Sequence, residues 1–145
     1  MKLSFVAALF LGTSLAATAQ NAPGKLTVDF IDVEGGQSTL FVTPSGESLL
    51  IDTGWAGHDM RDADRIADAA HKAGLTHIDF VLITHYHADH VGGVPQLVAR
   101  IPVGTFIDHG PNREDIPGNV ANYATFQKII AAGGHKETAS GMLGG

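Results

Sequence analysis

The sequence lacks several residues and motifs that define whole classes of protein. None of its 145 residues is cysteine, which excludes disulfides, iron–sulfur clusters, thiolate zinc fingers and cysteine nucleophiles. It has no Gly-x-Ser-x-Gly nucleophile motif, no Gly-x-x-x-x-Gly-Lys-Ser/Thr phosphate loop and no His-Glu-x-x-His zinc motif. Basic residues are few, nine against fifteen acidic ones, and the formal charge is −6. We therefore expect no stable binding to nucleic acid, which requires clustered Lys and Arg.

The composition that remains is typical of one globular domain. Hydrophobic residues make up 44% of the chain and charged residues 17%, so the chain is too apolar to be disordered. At the N-terminus, one lysine, an apolar run over 3–11 and the small residues at 17–19 are typical of a secretory signal peptide. We expect a signal peptide over residues 1–19, with an uncleaved N-terminal anchor as the alternative. Residues 20–145 would then form one domain, exported to the periplasm or the extracellular space and free of the membrane after cleavage.

Short segments rich in β-branched and aromatic residues, separated by turn residues, predict five strands. Their bounds are 25–33, 37–43, 47–51, 78–84 and 103–108. The run over 78–84 is almost continuously apolar, which is typical of a strand buried on both faces. We expect the first three strands to be antiparallel neighbours because their connections are short.

Helical spacing of apolar residues predicts three helices between and after these strands. The first extends over 59–73 and ends at Gly74, with an apolar stripe of Met60, Ala63, Ile66, Ala67 and Ala70. The second is a short helix that ends at Ala99. The third is capped by Asn119 and has a stripe of Val120, Tyr123, Phe126 and Ile130. The tail over 137–145 shows no recognisable element.

Three of the eight histidines fall within six residues, directly after the fourth predicted strand. His85 and His87 are two residues apart, so both imidazoles can point the same way from an extended segment. Asp89 and His90 are expected in the turn that follows. Imidazole and carboxylate are suitable ligands for Zn²⁺, Mn²⁺ or Fe²⁺. The pattern predicts a divalent metal site, and the alternative is a polar loop that is merely rich in histidine.

This His-x-His-x-Asp-His pattern resembles the motif of the metallo-β-lactamase superfamily of hydrolases. The segment over 49–54, Leu-Leu-Ile-Asp-Thr-Gly, resembles the strand-end Asp-x-Gly that precedes the histidine strand in that family. The segment over 30–38 resembles the opening of the metallohydrolase domain of ComEC-type DNA-uptake competence proteins. Glu34 interrupts that second pattern, and its final acidic residue is absent. The resemblance covers residues 25–130.

The resemblance implies an α/β fold, the N-terminal half of an αββα sandwich with a mixed β-sheet and flanking helices. It implies that His85 and His87 bind one metal ion and that Asp89 and His90 bind a second, both Zn²⁺ in the family. Asp89 would also be catalytic, orienting the metal-bound hydroxide that attacks the substrate. Asp52 would fix the histidine loop by hydrogen bonds without binding metal itself.

The second half of the family's sandwich supplies the remaining ligands, a histidine for each ion and a bridging aspartate. We expect the domain to be incomplete at its C-terminus and these ligands to be missing. Weaker candidates for lining or completing the site are His58, His109, His135, Asp108 and Asp115. His71 and His77 have no functional role in this interpretation.

The leading prediction is an exported metal-dependent hydrolase that cleaves an ester, an amide or a phosphodiester bond in a small molecule. The ComEC-like segment favours the phosphodiester. One alternative is a non-catalytic metal-binding or interaction module whose bare sheet face pairs with a partner or with a second copy. Another is an inactive fragment. For residues 20–145 alone, we expect weak zinc binding and no hydrolysis.

Overall fold

The computed structural model describes residues 24–133 and the backbone of residues 136–139. The predicted signal peptide and His135 lie outside the described residues. The strands are β1 (Thr27–Phe30), β2 (Thr39–Val42), β3 (Ser48–Ile51), β4 (Ile78–Leu82), β5 (Val103–Asp108) and β6 (Lys136–Ala139). The α-helices are α1 (Arg61–Lys72), α2 (Ala88–Val91), α3 (Val94–Leu97) and α4 (Pro117–Gly133), with a 3-10 turn at His58–Met60 before α1. None of the described helices has both the length and the apolar character needed to cross a membrane.

All six strands form one sheet in sequence order. The pairs β1–β2 and β2–β3 are antiparallel, as their short connections predict, and β3, β4, β5 and β6 are parallel neighbours. Parallel neighbours require crossover connections, which α1, the α2–α3 pair and α4 provide in turn. The predicted α/β fold with a mixed sheet and flanking helices is therefore confirmed. Parallel strands end at the same edge of a sheet, so the segments after β3, β4 and β5 meet there.

The hydrophobic core lies between one face of the sheet and the helices. The predicted stripe of α1 is buried at Ala63, Ile66, Ala67 and Ala70, and Gly74 follows the helix with a φ of 83°. Glycine adopts this left-handed conformation without a Cβ clash and ends the helix there. The sheet contributes one buried row across its strands: Leu40, Leu50, Val81 and Phe106.

The prediction that the fourth strand is buried on both faces is wrong. β4 ends at Leu82 rather than at residue 84, and Phe80 in its middle is 38% exposed. Asp79 is also only partly buried, and its carboxylate accepts hydrogen bonds from the Ser48 amide and hydroxyl. The reason is that, in the described part of the chain, the helices pack against only one face of the sheet.

Four local predictions also need correction. Asp89 and His90 lie on the short helix α2, not in a turn. Helix α4 begins at Pro117, so Asn119 is a buried residue of its first turn rather than its cap. Proline is well suited to a helix start because its missing N–H has no intrahelical partner there. Val120 is 48% exposed, and β6 forms where the sequence shows no element.

Candidate functional site

The three clustered histidines lie together at the C-terminal end of β4. His85 and His87 are in the loop after the strand, and their ring centroids are 4.5 Å apart. His90, one helical turn further on, places its ring centroid 3.9 Å from that of His85. Asp89 Oδ2 is 3.5 Å from His90 Nε2. The structure thus gathers the four side chains that the sequence singled out, while their role as metal ligands stays a prediction.

Asp52 lies behind this cluster and is fully buried. It follows β3 with a φ of 58°, a left-handed conformation that aspartate tolerates better than most residues. Its Oδ1 accepts the Thr84 amide at 2.8 Å, and its Oδ2 accepts the Thr84 hydroxyl at 2.7 Å. The same Oδ2 is 2.8 Å from His90 Nδ1. These are the hydrogen bonds expected of a residue that fixes the histidine loop.

The hydrogen bonds determine which nitrogen of each ring is protonated. The Asp52 carboxylate can only accept, so His90 Nδ1 is the donor to it. The Thr84 hydroxyl gives its proton to Asp52, so its oxygen accepts from His85 Nδ1 at 3.0 Å. Both rings therefore direct Nδ1 toward the protein and keep Nε2 as a lone-pair donor. A neutral imidazole whose second nitrogen is held in this way is the usual form of a metal-binding histidine.

His85 is electrostatically suited to the neutral form. Its partial burial lowers its pKa, and the neighbouring His90 and His87 lower it further because a second positive charge nearby is unfavourable. Asp52 and Asp89 raise the pKa, but their effect is smaller. The net lowering of the pKa favours the unprotonated ring, which is the form that can bind a cation.

Two loops brace the histidine segment through its backbone. The Thr53 amide and hydroxyl both donate to the His90 carbonyl, at 2.7 and 2.9 Å. The Gln37 amide donates to the Asp89 carbonyl at 3.0 Å. At Gly93 a Cβ would overlap the Thr53 carbonyl oxygen, so glycine allows the two segments to approach. These backbone contacts join the histidine segment to the loop after β3 and to the segment before β2.

The weaker candidates lie apart from the imidazole cluster or support it indirectly. His109 packs on the ring of Tyr86 at a centroid distance of 4.9 Å. Asp108 is buried at the end of β5, where its Oδ1 accepts the Gly110 amide at 2.6 Å. His58 is exposed in the turn before α1, and Asp115 is exposed in the loop before α4. Among the described residues, His58, His109 and Asp115 form no hydrogen bond, ion pair or ring contact with His85, His87 or His90.

One residue at the site was not predicted. Glu114 Oε2 is 3.1 Å from His87 Nε2, although 27 residues separate them in the chain. No local pattern marks Glu114, because its loop contains no motif and the contact depends on how β5 and α4 are arranged. The only available signal in the sequence was that a carboxylate follows the fifth strand, and Asp115 fits that description as well as Glu114 does.

The residues present fit a divalent cation in their chemistry. Three imidazoles and one carboxylate share a partly buried site, and no lysine or arginine of residues 24–133 forms an ion pair with any of the four. Within the described residues, however, no three His, Asp or Glu side chains have ligand atoms grouped as a metal ion requires. The Nδ1 atoms of His85 and His90 are hydrogen-bonded toward the protein, which holds these two rings in place, but the ligand atoms do not form a closed coordination shell.

Comparison with known proteins identifies the family. The model of the metallo-β-lactamase superfamily matches residues 32–140, which is most of the chain. The chain belongs to the metallo-β-lactamase superfamily. The matched segment includes β2 to β5, the histidine motif and Asp52, so the family resemblance noted in the sequence is confirmed at the level of the superfamily.

Several curated proteins match parts of the chain. A lactamase-like protein of Aspergillus sp. is 34% identical over 84 residues, which is 57% of this chain and 25% of that protein. An atrochrysone carboxyl ACP thioesterase of Cryptosporiopsis sp. is 34% identical over 97 residues, 66% of this chain and 27% of that protein. A hydroxyacylglutathione hydrolase of Vibrio parahaemolyticus is 42% identical over 59 residues, 41% of this chain and 22% of that enzyme. The chain thus spans about a quarter of the length of the curated relatives it matches.

Among solved structures, a metallo-β-lactamase from Cronobacter sakazakii is 29% identical. The superposition covers 59% of this chain and 31% of that one, with a TM-score of 0.44.

Proposed function

We propose that this chain provides the first part of the active site of an exported metal-dependent hydrolase, and that the bond cleaved is an ester or thioester. The observation that supports this most strongly is the cluster of His85, His87, His90 and Asp89, held by the buried Asp52, in a metallo-β-lactamase superfamily chain. Residues 1–19 would direct export, and residues 20–145 would form the metallo-β-lactamase-like domain. The acyl preference rests on two relatives, whose names describe a thioesterase and a hydroxyacylglutathione hydrolase.

In this proposal, His85 and His87 hold one Zn²⁺ ion, and Asp89 and His90 hold a second. When bound, divalent ions lower the pKa of coordinated water and stabilise the negative charge that develops in the transition state. The side chains supply orientation. Asp52 fixes His90 and, through the Thr84 hydroxyl, His85. The Asp89 carboxylate accepts a hydrogen bond from the attacking water and aligns it with the scissile carbonyl.

A second candidate substrate is a phosphodiester. The segment over 30–38 that resembles the ComEC-type opening lies directly against the site, because the Gln37 amide binds the Asp89 carbonyl. Glu34, which interrupts that pattern, forms ion pairs with Arg61 and Arg65 of α1 at 2.7 and 3.0 Å. Its charge is therefore paired with a helix and does not project into the site as a further ligand.

The test is zinc titration of the full chain, followed by a substrate panel. We expect Zn²⁺ binding that is lost in His87→Ala and in Asp89→Ala, with His71→Ala on the exposed face of α1 as the matched control. Hydroxyacyl-glutathione, p-nitrophenyl acetate and bis(p-nitrophenyl) phosphate would then distinguish thioester, ester and phosphodiester cleavage. Zinc binding without turnover is the result expected for a chain that provides only the first part of the site, and turnover of any of them would identify the bond cleaved. Zinc binding that is equal in all variants would contradict the proposed site.

A further inference from the structure

Besides Asp52, Glu114 is the one acidic side chain outside the motif that touches a clustered imidazole, in the part of the chain that the structure describes. Its Oε2 lies 3.1 Å from His87 Nε2. The contact matters because, without it, the His87 ring would be the least restrained of the three proposed histidine ligands. His85 and His90 are fixed through Thr84 and Asp52, whereas no other hydrogen bond to the His87 ring exists among the described residues.

Glu114 is itself held at both its side chain and its backbone. The Asn119 Nδ2 atom donates to Glu114 Oε2 at 2.5 Å, and Asn119 is only 6% exposed in the first turn of α4. Asn112 binds the Glu114 backbone twice, through Nδ2 to its carbonyl at 2.8 Å and through Oδ1 to its amide at 3.2 Å. An exposed glutamate normally samples many rotamers. These three hydrogen bonds restrict Glu114 to the side of the loop that faces His87.

Helix α4 also binds the backbone of the residue before His87. Asn122, one turn after Asn119, donates from Nδ2 to the Tyr86 carbonyl at 3.1 Å. The Tyr86 hydroxyl in turn donates to the Gly110 carbonyl at 2.5 Å, in the loop that leads to Glu114. The start of α4 is therefore connected to the histidine segment at two adjacent residues. Asn122 binds Tyr86 directly, and Asn119 is linked to His87 through Glu114.

We propose that Glu114, fixed by Asn119, is a positioning residue for His87. This inference rests on the proposed metal site. A carboxylate accepts the Nε2–H proton, which selects the tautomer whose lone pair is on Nδ1 and sets the plane of the ring. His87 would then present Nδ1, in contrast to His85 and His90, which present Nε2. Glu114 would bind neither metal nor substrate.

The competing explanation is an incidental surface pair. The side chains of His87 and Glu114 are 43% and 48% exposed, and exposed ion pairs contribute little to stability. A pair of that kind would leave the ring free to change tautomer and would have almost no effect on zinc affinity. The two explanations therefore differ in measurable properties of one ring.

The first experiment measures the tautomer of His87 in the metal-free full chain. Two-bond ¹H–¹⁵N correlation spectra distinguish Nε2–H from Nδ1–H imidazole, and a His87→Gln variant assigns the signals. We expect Nε2–H in the wild type and a mixture of tautomers in Glu114→Ala. In Glu114→Gln the amide oxygen still accepts the proton, so the wild-type tautomer should persist. An unchanged spectrum in Glu114→Ala would overturn the proposal.

The second experiment measures Zn²⁺ affinity by competition with a chromophoric chelator. Loss of a residue that orients a metal ligand weakens binding by about 10- to 100-fold, and we expect Glu114→Ala to fall in that range. Glu114→Gln should lie between Glu114→Ala and the wild type. Glu47→Gln, which makes the same change on an exposed hairpin residue, should match the wild type and so controls for net charge. A Glu114→Ala effect below about threefold, the size of an exposed ion pair, would contradict the proposal.

The two experiments separate this inference from the proposed function. If the wild type binds no zinc, the proposed function fails, whereas the tautomer spectra still decide whether Glu114 fixes His87. If the wild type binds zinc and Glu114→Ala changes neither property, the positioning role fails and the proposed function stands. Far-UV circular dichroism of each variant verifies that the fold is retained.

Discussion

At the scale of single residues, Asp52 is the side chain on which the geometry of the histidine loop most depends. It is fully buried, and its two oxygens accept hydrogen bonds from the Thr84 amide, the Thr84 hydroxyl and His90 Nδ1. A buried carboxylate is stable only when hydrogen bonds of this kind replace its hydration. The bonds that stabilise Asp52 are therefore the same bonds that hold the proposed ligands.

We predict that Asp52→Asn affects both stability and zinc affinity. An amide of the same size removes the charge and leaves at least one donor without its acceptor, which costs about 1–3 kcal/mol. It also loosens His90, so zinc affinity should fall by about 10- to 100-fold. Urea denaturation and zinc titration measure the two effects.

The matched control is Asp79→Asn, at the opposite end of the parallel strands. Asp79 also accepts an amide and a hydroxyl, both from Ser48, and it lies on β4 before the strand reaches the site. Burial raises the pKa of Asp79, but the hydrogen bonds from Ser48 and His77 outweigh it and lower the pKa overall. Asp79→Asn should therefore reduce stability without changing zinc affinity. If Asp52→Asn behaved in the same way, the proposed link between Asp52 and the ligands would be wrong.

The ligand motif and Asp52 could be singled out from sequence because each follows a recognisable strand and the residues act within one short segment. Glu114 could not, because its contact with His87 joins two loops through the packing of α4. Asn119 shows the same limit. The sequence favoured a helix cap, whereas the structure buries its side chain against Glu114. Local patterns predict which residues carry chemistry better than they predict which distant residues hold them.

At the scale of elements, the accuracy of prediction followed the strength of each local signal. β5 has the predicted bounds, and α1 buries four of the five predicted stripe residues, whereas Met60 precedes the helix and is only partly buried. β6 was missed because three of its four residues, Lys136, Glu137 and Ala139, have weak strand propensity. α2 was missed because four residues are too few to show a helical period.

The contact between the α2–α3 junction and the loop after β3 leads to a second prediction, at Gly93. A Cβ there would overlap the Thr53 carbonyl oxygen, and both segments are fixed by backbone hydrogen bonds. We expect Gly93→Ala to destabilise the fold by about 1–3 kcal/mol, the usual cost of overpacking, and to weaken zinc binding through the displaced loop. Thermal unfolding and zinc titration measure the two effects.

Gly118 provides the control for that substitution. It lies in the first turn of α4, and a Cβ there would have no neighbour within 4 Å. Gly118→Ala should leave zinc affinity unchanged and raise stability by up to about 1 kcal/mol, because alanine has the higher helix propensity. Equal stability of the two variants would show that the approach of Gly93 to Thr53 is not close in solution.

At the scale of the whole molecule, the two faces of the sheet are unequal. The helices described here cover one face. The other presents an apolar row across four strands, formed by Val28, Phe41, Leu49 and Phe80. A shallow depression of about 260 Å³ adjoins Phe41, Leu49 and Phe80. An uncovered apolar surface of this kind usually marks a binding site or an aggregation hazard in a soluble protein. Self-association of the chain through this face remains a prediction, and a substitution on the face can test it.

We predict that Phe30→Thr lowers both the fluorescence of a bound apolar dye such as ANS and the self-association of the full chain. Phe30 is 80% exposed on the edge strand β1, on the same face as Val28. Threonine keeps the strand propensity, so stability should change by no more than about 0.5 kcal/mol.

Val120→Thr is the control. It removes an apolar side chain that is 48% exposed on α4, away from the sheet, and should leave both properties unchanged. Dye fluorescence and sedimentation velocity compare the two variants at equal concentration. An equal decrease in both variants would mean that general surface hydrophobicity, rather than the bare sheet face, drives association.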